Sequence, residues 1–295
     1  MSAARLLVPP DLMRKLDELE IRTRRSFAGR IRGEQRSVKK GHSLEFADYR
    51  SYIQGDDLRF IDWKIFARLD RLFLKLFMEE EDLFVYILLD TSHSMGMGEP
   101  AKLPYAKQLA AALSYIALSG THRVAIQPYA ADVLAPLPPT RGKGQFAGVS
   151  AFLERLEAEG QTDSRTGIAH FRRRLRGSGV VFLISDLLDR NGTVEALKPL
   201  LAGRYEVCVF HLLAPDEEEP QWEGDWRLVD VEDGGTVGVS MSARLREAYG
   251  KAVRQFRGEQ RDVCGRYGFN YLPIRSDLPL ESLVLHSLRA RGVLK

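Results

Sequence analysis

The stretch YILLDTSHSMG, residues 86–96, decides how the chain is read. An apolar run of strand length ends abruptly in Asp90, and hydroxyls follow at alternate positions, Ser92 and Ser94. A short continuous apolar run suits a strand buried on both faces. Asp and Ser at a strand end also serve plain turn and cap chemistry, so spacing alone leaves that reading open. The other reading is a metal site. A carboxylate and two hydroxyls at i, i+2 and i+4 turn three oxygens toward one point if the loop curls, and Mg2+ takes oxygen ligands. His93, at the odd position, is expected to point away.

Working outward, GVVFLISD is another buried strand that ends in an aspartate, Asp186. RVAIQPYA and YEVCVFHLL read as further strands, and VLAPLPP as a local pairing before a proline-rich loop. Helical periodicity lies between them, in PYAKQLAAALSYIALSG, QFAGVSAFLERLEAEG, TGIAHFRRRLRG and TVEALKPLLAG. Short strands are expected around WRLVDVE and TVGVS, then a long helix from Ser242 to Gly268, the strand FNYLPI and a last helix. This alternation predicts an α/β fold, a mostly parallel sheet with helices on both faces. Ligands of such sheets sit outside the carboxyl ends of the strands, where Asp90 and Asp186 fall. The loop GQTDSRTG adds a hydroxyl at Thr162, with Thr166 one helical turn on.

The first 80 residues have a different rhythm. PPDLMRKLDELEIRTRRSF reads as an amphipathic helix with Leu12, Leu16, Leu19 and Thr23 on one face. The basic stretch IRTRRSFAGRIRGEQRSVKK reads as a solvated arm. Few aromatics interleave with its charges, so no nucleic acid is expected there. GDDLRFIDW places Asp56, Asp57 and Asp62 near Arg59 and Trp63; it reads as a structural plug in which Arg50 and Arg59 pair the acids. RLFLKLF alternates like a strand. RGKGQ lacks the spacing of a phosphate loop. APDEEEP reads as a mobile acidic loop, and Trp222 and Trp226 are expected to cover the core edge.

The 295 residues carry a formal net charge of +3, with 44% hydrophobic and 28% charged residues. That is ordinary for a globular protein and too mild a charge to imply nucleic acid. Cys208 and Cys264 form no CxxC pair, and Cys208 is expected to be a buried free thiol. Neither a secretory signal nor a run of the ~18–20 apolar residues of a membrane helix is visible, so the expected location is cytoplasmic, with no membrane span.

DTSHSM matches the D-x-S-x-S pattern of von Willebrand factor A-like domains, the metal-ion-dependent adhesion site (MIDAS). GQTDSRTGI resembles the threonine loop of that site and ISD its strand-end aspartate. A second resemblance is narrower. EFADYRSYIQGDDLRFIDWKIFAR, followed by LFLKLFMEEED and LLDTSHSM, is similar to the bacterial "domain of unknown function 58" family. Members carry an A-like domain and are typically encoded beside a MoxR-type AAA+ ATPase. Many have N-terminal membrane helices; this chain resembles the short members without them.

The resemblance implies five metal ligands, Asp90, Ser92, Ser94, Thr162 and Asp186, around Mg2+ or, equally, Mn2+ or Ca2+. It implies a family-specific region over residues 1–80 and an A-like domain over 81–295. The implied role is a non-enzymatic adaptor or co-chaperone that works with the ATPase on a client the sequence does not name. A metal-dependent hydrolase of phosphoesterase type, with Asp56, Asp57 or His93 joining the metal, is the alternative. It lacks an apparent nucleophile–base pair.

Overall fold

The computed structural model describes residues 6–22, 44–79, 83–130, 134–189, 192–203, 205–231 and 234–295. The basic stretch and Thr23 fall largely or wholly outside them. The chain forms two compact units, one of Met1–Arg24 with Leu83–Lys295 and one of Arg25–Asp82.

The larger unit is built on a six-stranded sheet: β3 (Phe84–Asp90), β4 (Arg123–Tyr129), β5 (Leu137–Arg141), β6 (Gly179–Ser185), β7 (Tyr205–Leu213) and β10 (Asn270–Arg275). Its order is β10-β7-β6-β3-β4-β5, parallel throughout except for β5 at one edge. The central strands β3 and β6 are buried along almost their whole length, which is why they read as unbroken apolar runs. Register aligns their carboxyl ends. Asp90 lies opposite Tyr129, Leu89 opposite Ile184, and Ser185 opposite His211.

Successive strand residues point to opposite faces. Tyr86 and Leu88 of β3 join Val181 and Leu183 of β6 in one core. Helix α5 (Ser164–Arg174) closes it with Ile168 and Phe171, α6 (Thr193–Ala196) with Val194, and α8 (Ala243–Tyr267) with Val263 and Cys264. The opposite face is covered by α3 (Lys102–Ser119), which is buried over most of its circumference, with α4 (Phe146–Glu154) packed on it. α3 stops at Gly120. The expected buried free thiol at Cys208 is present, as is one at Cys264.

Near the N-terminus the helix is shorter than its periodicity suggested. α1 runs only over Pro10–Leu16, although Leu12, Leu16 and Leu19 are all buried. Tertiary partners take over where it ends. Asp17 accepts from the Tyr115 hydroxyl (2.9 Å) and from Lys143 (2.6 Å), and Ile21 bridges to Leu294. Residues 1–24 therefore group with the sheet unit, and the division of the chain differs from a single boundary at residue 80.

The smaller unit holds the antiparallel pair β1 (Leu44–Ser51) and β2 (Phe73–Glu79), with α2 (Trp63–Leu69) between them in sequence. Asp62 caps α2 by accepting from the backbone N–H of Lys64 (2.9 Å) and Ile65 (3.3 Å), and Lys75 and Tyr49 reach its second oxygen. Arg50 pairs with Asp56 at 2.8 Å, and Arg59 forks onto Asp57. Arg50 and Arg59 thus pair two acids of GDDLRFIDW, as the plug reading expected, and Lys75, which it did not name, takes the third.

Candidate metal and docking site

Asp90 is fully buried at the end of β3, and four donors converge on it. Its Oδ1 accepts from the Ser92 backbone N–H (3.0 Å) and the Ser92 hydroxyl (2.7 Å); its Oδ2 accepts from Ser185 Oγ (2.7 Å) and the Tyr129 hydroxyl (3.4 Å). Ser92 Oγ and Ser94 Oγ are 3.1 Å apart. The DTSHSM segment therefore curls, and its carboxylate and two hydroxyls form one connected cluster. His93 between them is exposed, as alternation required.

The threonine loop is stitched to this segment through the backbone. The His93 N–H donates to the Gly160 carbonyl (2.9 Å), and the Glu159 N–H donates to the Thr91 carbonyl (2.8 Å). Asp163 caps α5 through the Thr166 N–H (3.0 Å), so Thr166 supports the helix start. Asp189 accepts from the Ser164 N–H (2.8 Å) and from the Ser164 hydroxyl, which fastens α5 to the loop after β6. At Gly167 a Cβ would lie 2.6 Å from Tyr129 Cβ, so only glycine lets α5 approach this closely. Ser94 and Thr162 share the lining of a cleft of about 560 Å3 with Asp189, Glu217 and Trp222.

Asp186 is also fully buried. The chain leaves it through Leu187, whose φ of 59° is unusual for a side chain of this size; burial of the leucine and a hydrogen bond from its N–H to Ser185 Oγ (2.9 Å) hold it there. Asp186 Oδ1 accepts from the Leu188 N–H (3.2 Å) and Oδ2 from Lys102 Nζ (2.8 Å). Lys102, the first residue of α3, is completely buried, and its ammonium also pairs with Glu217.

Electrostatics follow from this burial. Desolvation, and next the charge of Asp186, push the Asp90 carboxyl up to about 7. Burial alone would push the Lys102 ammonium down, but Asp186 and Glu217 outweigh it and hold the group above its ordinary value. Burial raises Glu217 in spite of that lysine, and burial drives Tyr129 well up, helped by Asp90. His211, at the end of β7, is kept neutral by burial, which lowers it to about 4.

Hard oxygen donors gather here, so the residues fit a hard divalent ion in kind. Among the described residues no group of three His, Cys, Asp or Glu side chains could hold a metal, so hydroxyls would have to supply part of the shell. The Lys102 ammonium on Asp186 opposes the fit.

Sequence reading missed Lys102, Glu217, Asp189, Ser185 and Tyr129. Glu217 lies in APDEEEP, read as a mobile loop; residues Pro215–Glu218 instead form a short helix, α7, whose Glu217 carboxylate accepts from the Ala214 N–H (2.8 Å). Trp226 does not cover the core edge: it is exposed on the hairpin of β8 (Gly224–Val229) and β9 (Thr236–Met241), while Trp222 is half-buried, and the two rings lie 5.9 Å apart at a tilt of 41°. Lys102 fell outside the helix read from the sequence, which began at Pro104; in the structure it is the first residue of α3, where a cation opposes the helix dipole and calls for a nearby anion.

A mostly parallel sheet covered by helices on both faces, with the D-x-S-x-S turn at the end of a central strand, defines a von Willebrand factor A-like α/β domain. The particular family follows: a model described as "Protein of unknown function DUF58" matches residues 48–259, and the chain belongs to that family. It is 26% identical over 275 residues to "Uncharacterized protein Rv1480" of Mycobacterium tuberculosis (strain ATCC 25618 / H37Rv), covering 91% of this chain and 86% of that one. A Mycobacterium avium protein, "Uncharacterized protein MAV169", is 32% identical over 117 residues, 39% of this chain and 68% of its own. Among solved structures, the conserved hypothetical protein BatB from Bacteroides thetaiotaomicron is similar at a TM-score of 0.46 and 17% identity, over 71% of this chain and 98% of that one. The VWA domain of SpRpn10 is similar at 0.40 and 13%, over 70% and 95%. No helix among the described residues is long and apolar enough to cross a membrane.

Proposed function

We propose that this chain is a metal-dependent protein-binding module, an adaptor that works with a MoxR-type AAA+ ATPase in remodelling or maturing other proteins. The observation that carries the reading is the cluster at the end of β3. Asp90, Ser92 and Ser94 are joined by hydrogen bonds, the threonine loop is tied to them by backbone bonds, and Ser94 and Thr162 open onto one cleft. Asp90, Ser92, Ser94, Thr162 and Asp186 would hold Mg2+, or Mn2+ or Ca2+ in its place. Such an ion supplies an electrophilic point to which an acidic side chain of a partner can bind. Hydroxyl ligands leave its charge poorly neutralised, which favours capture of a carboxylate. The ATPase as partner follows from the family resemblance. The acids of GDDLRFIDW, each engaged by a cation of its own unit, offer no comparable cluster to a hydrolase.

The test is retention of a purified MoxR-type ATPase from the same organism on immobilised chain, in Mg2+ and in EDTA, beside Asp90→Asn. Asparagine suits better than alanine, because Ser92, Ser185 and Tyr129 all donate to this side chain. Retention in Mg2+ alone, lost in EDTA and in the variant, is the expected outcome. Equal retention in all three would sink the metal as the handle and move attention to the GDDLRFIDW surface.

A further inference from the structure

We infer that Lys102 is a resident cation of this site: its ammonium already occupies the carboxylate a divalent ion would use, and so holds the affinity for that ion low. The inference rests on the metal-site reading above. Three observations carry it. Lys102 Nζ donates to Asp186 Oδ2 at 2.8 Å, and the other oxygen of Asp186 is taken by the Leu188 N–H, so both oxygens are engaged. Neither side chain of the Lys102–Asp186 pair is exposed, so water does not screen the ammonium from an incoming ion. Glu217 holds the same ammonium from the cleft side, with its second oxygen fixed by the Ala214 N–H, so the lysine is clamped between two carboxylates.

A buried ammonium beside a buried carboxylate has two consequences for an ion arriving at Asp90, Ser92 and Ser94. It cancels the charge of Asp186, and it repels a second cation drawn to the site. The lysine is also placed at cost, at the positive end of an 18-residue helix. A purely structural role for the cation would be met equally by a site that never takes a metal. The two cases differ in what happens when the charge is removed.

The experiment measures Mn2+ binding, by loss of the free-ion electron paramagnetic resonance signal, for the full chain and four variants. Lys102→Met removes the charge and keeps the stem; Lys102→Arg keeps the charge. Lys102→Met with Glu217→Gln relieves one of the two carboxylates the lysine leaves behind, and serves if the single change does not fold. The expected result is Mn2+ binding at least tenfold tighter in Lys102→Met or in the double variant, and no gain in Lys102→Arg. Adding Asp186→Asn to the tighter variant should reverse the gain. Wild-type binding that is measurable and not improved by removing the charge overturns the inference while leaving the metal site standing. No Mn2+ binding in any folded variant overturns both, because it removes the metal reading itself.

Discussion

Two regions of the chain are dense in aspartate, and they use it in opposite ways. In the smaller unit, Asp56, Asp57 and Asp62 each meet a cation from their own segment or the neighbouring strand, and the distances are those of ordinary ion pairs and caps. At the end of the parallel sheet, Asp90 is ringed by hydroxyls, while Asp186 draws its lysine from 84 residues away. A carboxylate satisfied by a sequence neighbour is stabilising its own loop. A carboxylate sunk beneath hydroxyls is held by neutral donors, beside a cleft that Ser94 of the same cluster lines. The kind of partner, and how far along the chain it is drawn from, separates structural acids from candidate functional ones.

The sharpest way to break the contrast is to remove Asp186. Asp186→Ala leaves the Lys102 ammonium buried with Glu217 alone, and losing one partner of a buried pair costs roughly 3–5 kcal/mol. Urea denaturation should show a clear fall in midpoint; a wild-type midpoint would mean that the buried Lys102–Asp186 pair contributes no more than an exposed one. A smaller effect comes from pH. His211 is lowered to about 4 in the folded chain against an ordinary 6.5. Below 6.5 the unfolded chain takes up this proton and the folded chain does not. The stability contribution is thus full at neutral pH, is lost as pH falls from 6.5 to 4, and amounts to about 3 kcal/mol. His211→Gln should flatten that slope in denaturation curves recorded between pH 7 and pH 4. The smallest effect is expected at Arg59→Ala, which removes an exposed partner of Asp57. Its melting temperature should match wild type. A large drop there would mean that the plug carries more of the fold than its exposed pair implies.

The fold and half of the site were legible because they are local. Unbroken apolar runs announced β3 and β6, and the residues immediately after them are Asp90 with its hydroxyls and Asp186. The threonine loop could be named from a short motif, and the exposure of His93 from alternation. The pairs in GDDLRFIDW were legible for the same reason, since Arg59 sits two residues from Asp57 and Arg50 six from Asp56. What failed was long-range. Lys102 meets Asp186 and Glu217 only after the sheet has formed, and Glu217 looked like one acid among several in a loop. The shortened α1 has the same origin, since Asp17 is claimed by Tyr115 and Lys143 from across the fold.

The two edges of the sheet have a consequence of their own. β5 carries Pro138 and Pro139, and β10 carries Pro273. Proline offers no N–H to a neighbouring strand, and natural sheets place it at their margins for that reason. Neither rim is therefore a good template for a cross-β ladder, whether from a second copy or from an unfolding client. A protein whose proposed work brings it beside partly unfolded chains gains from margins that do not recruit them.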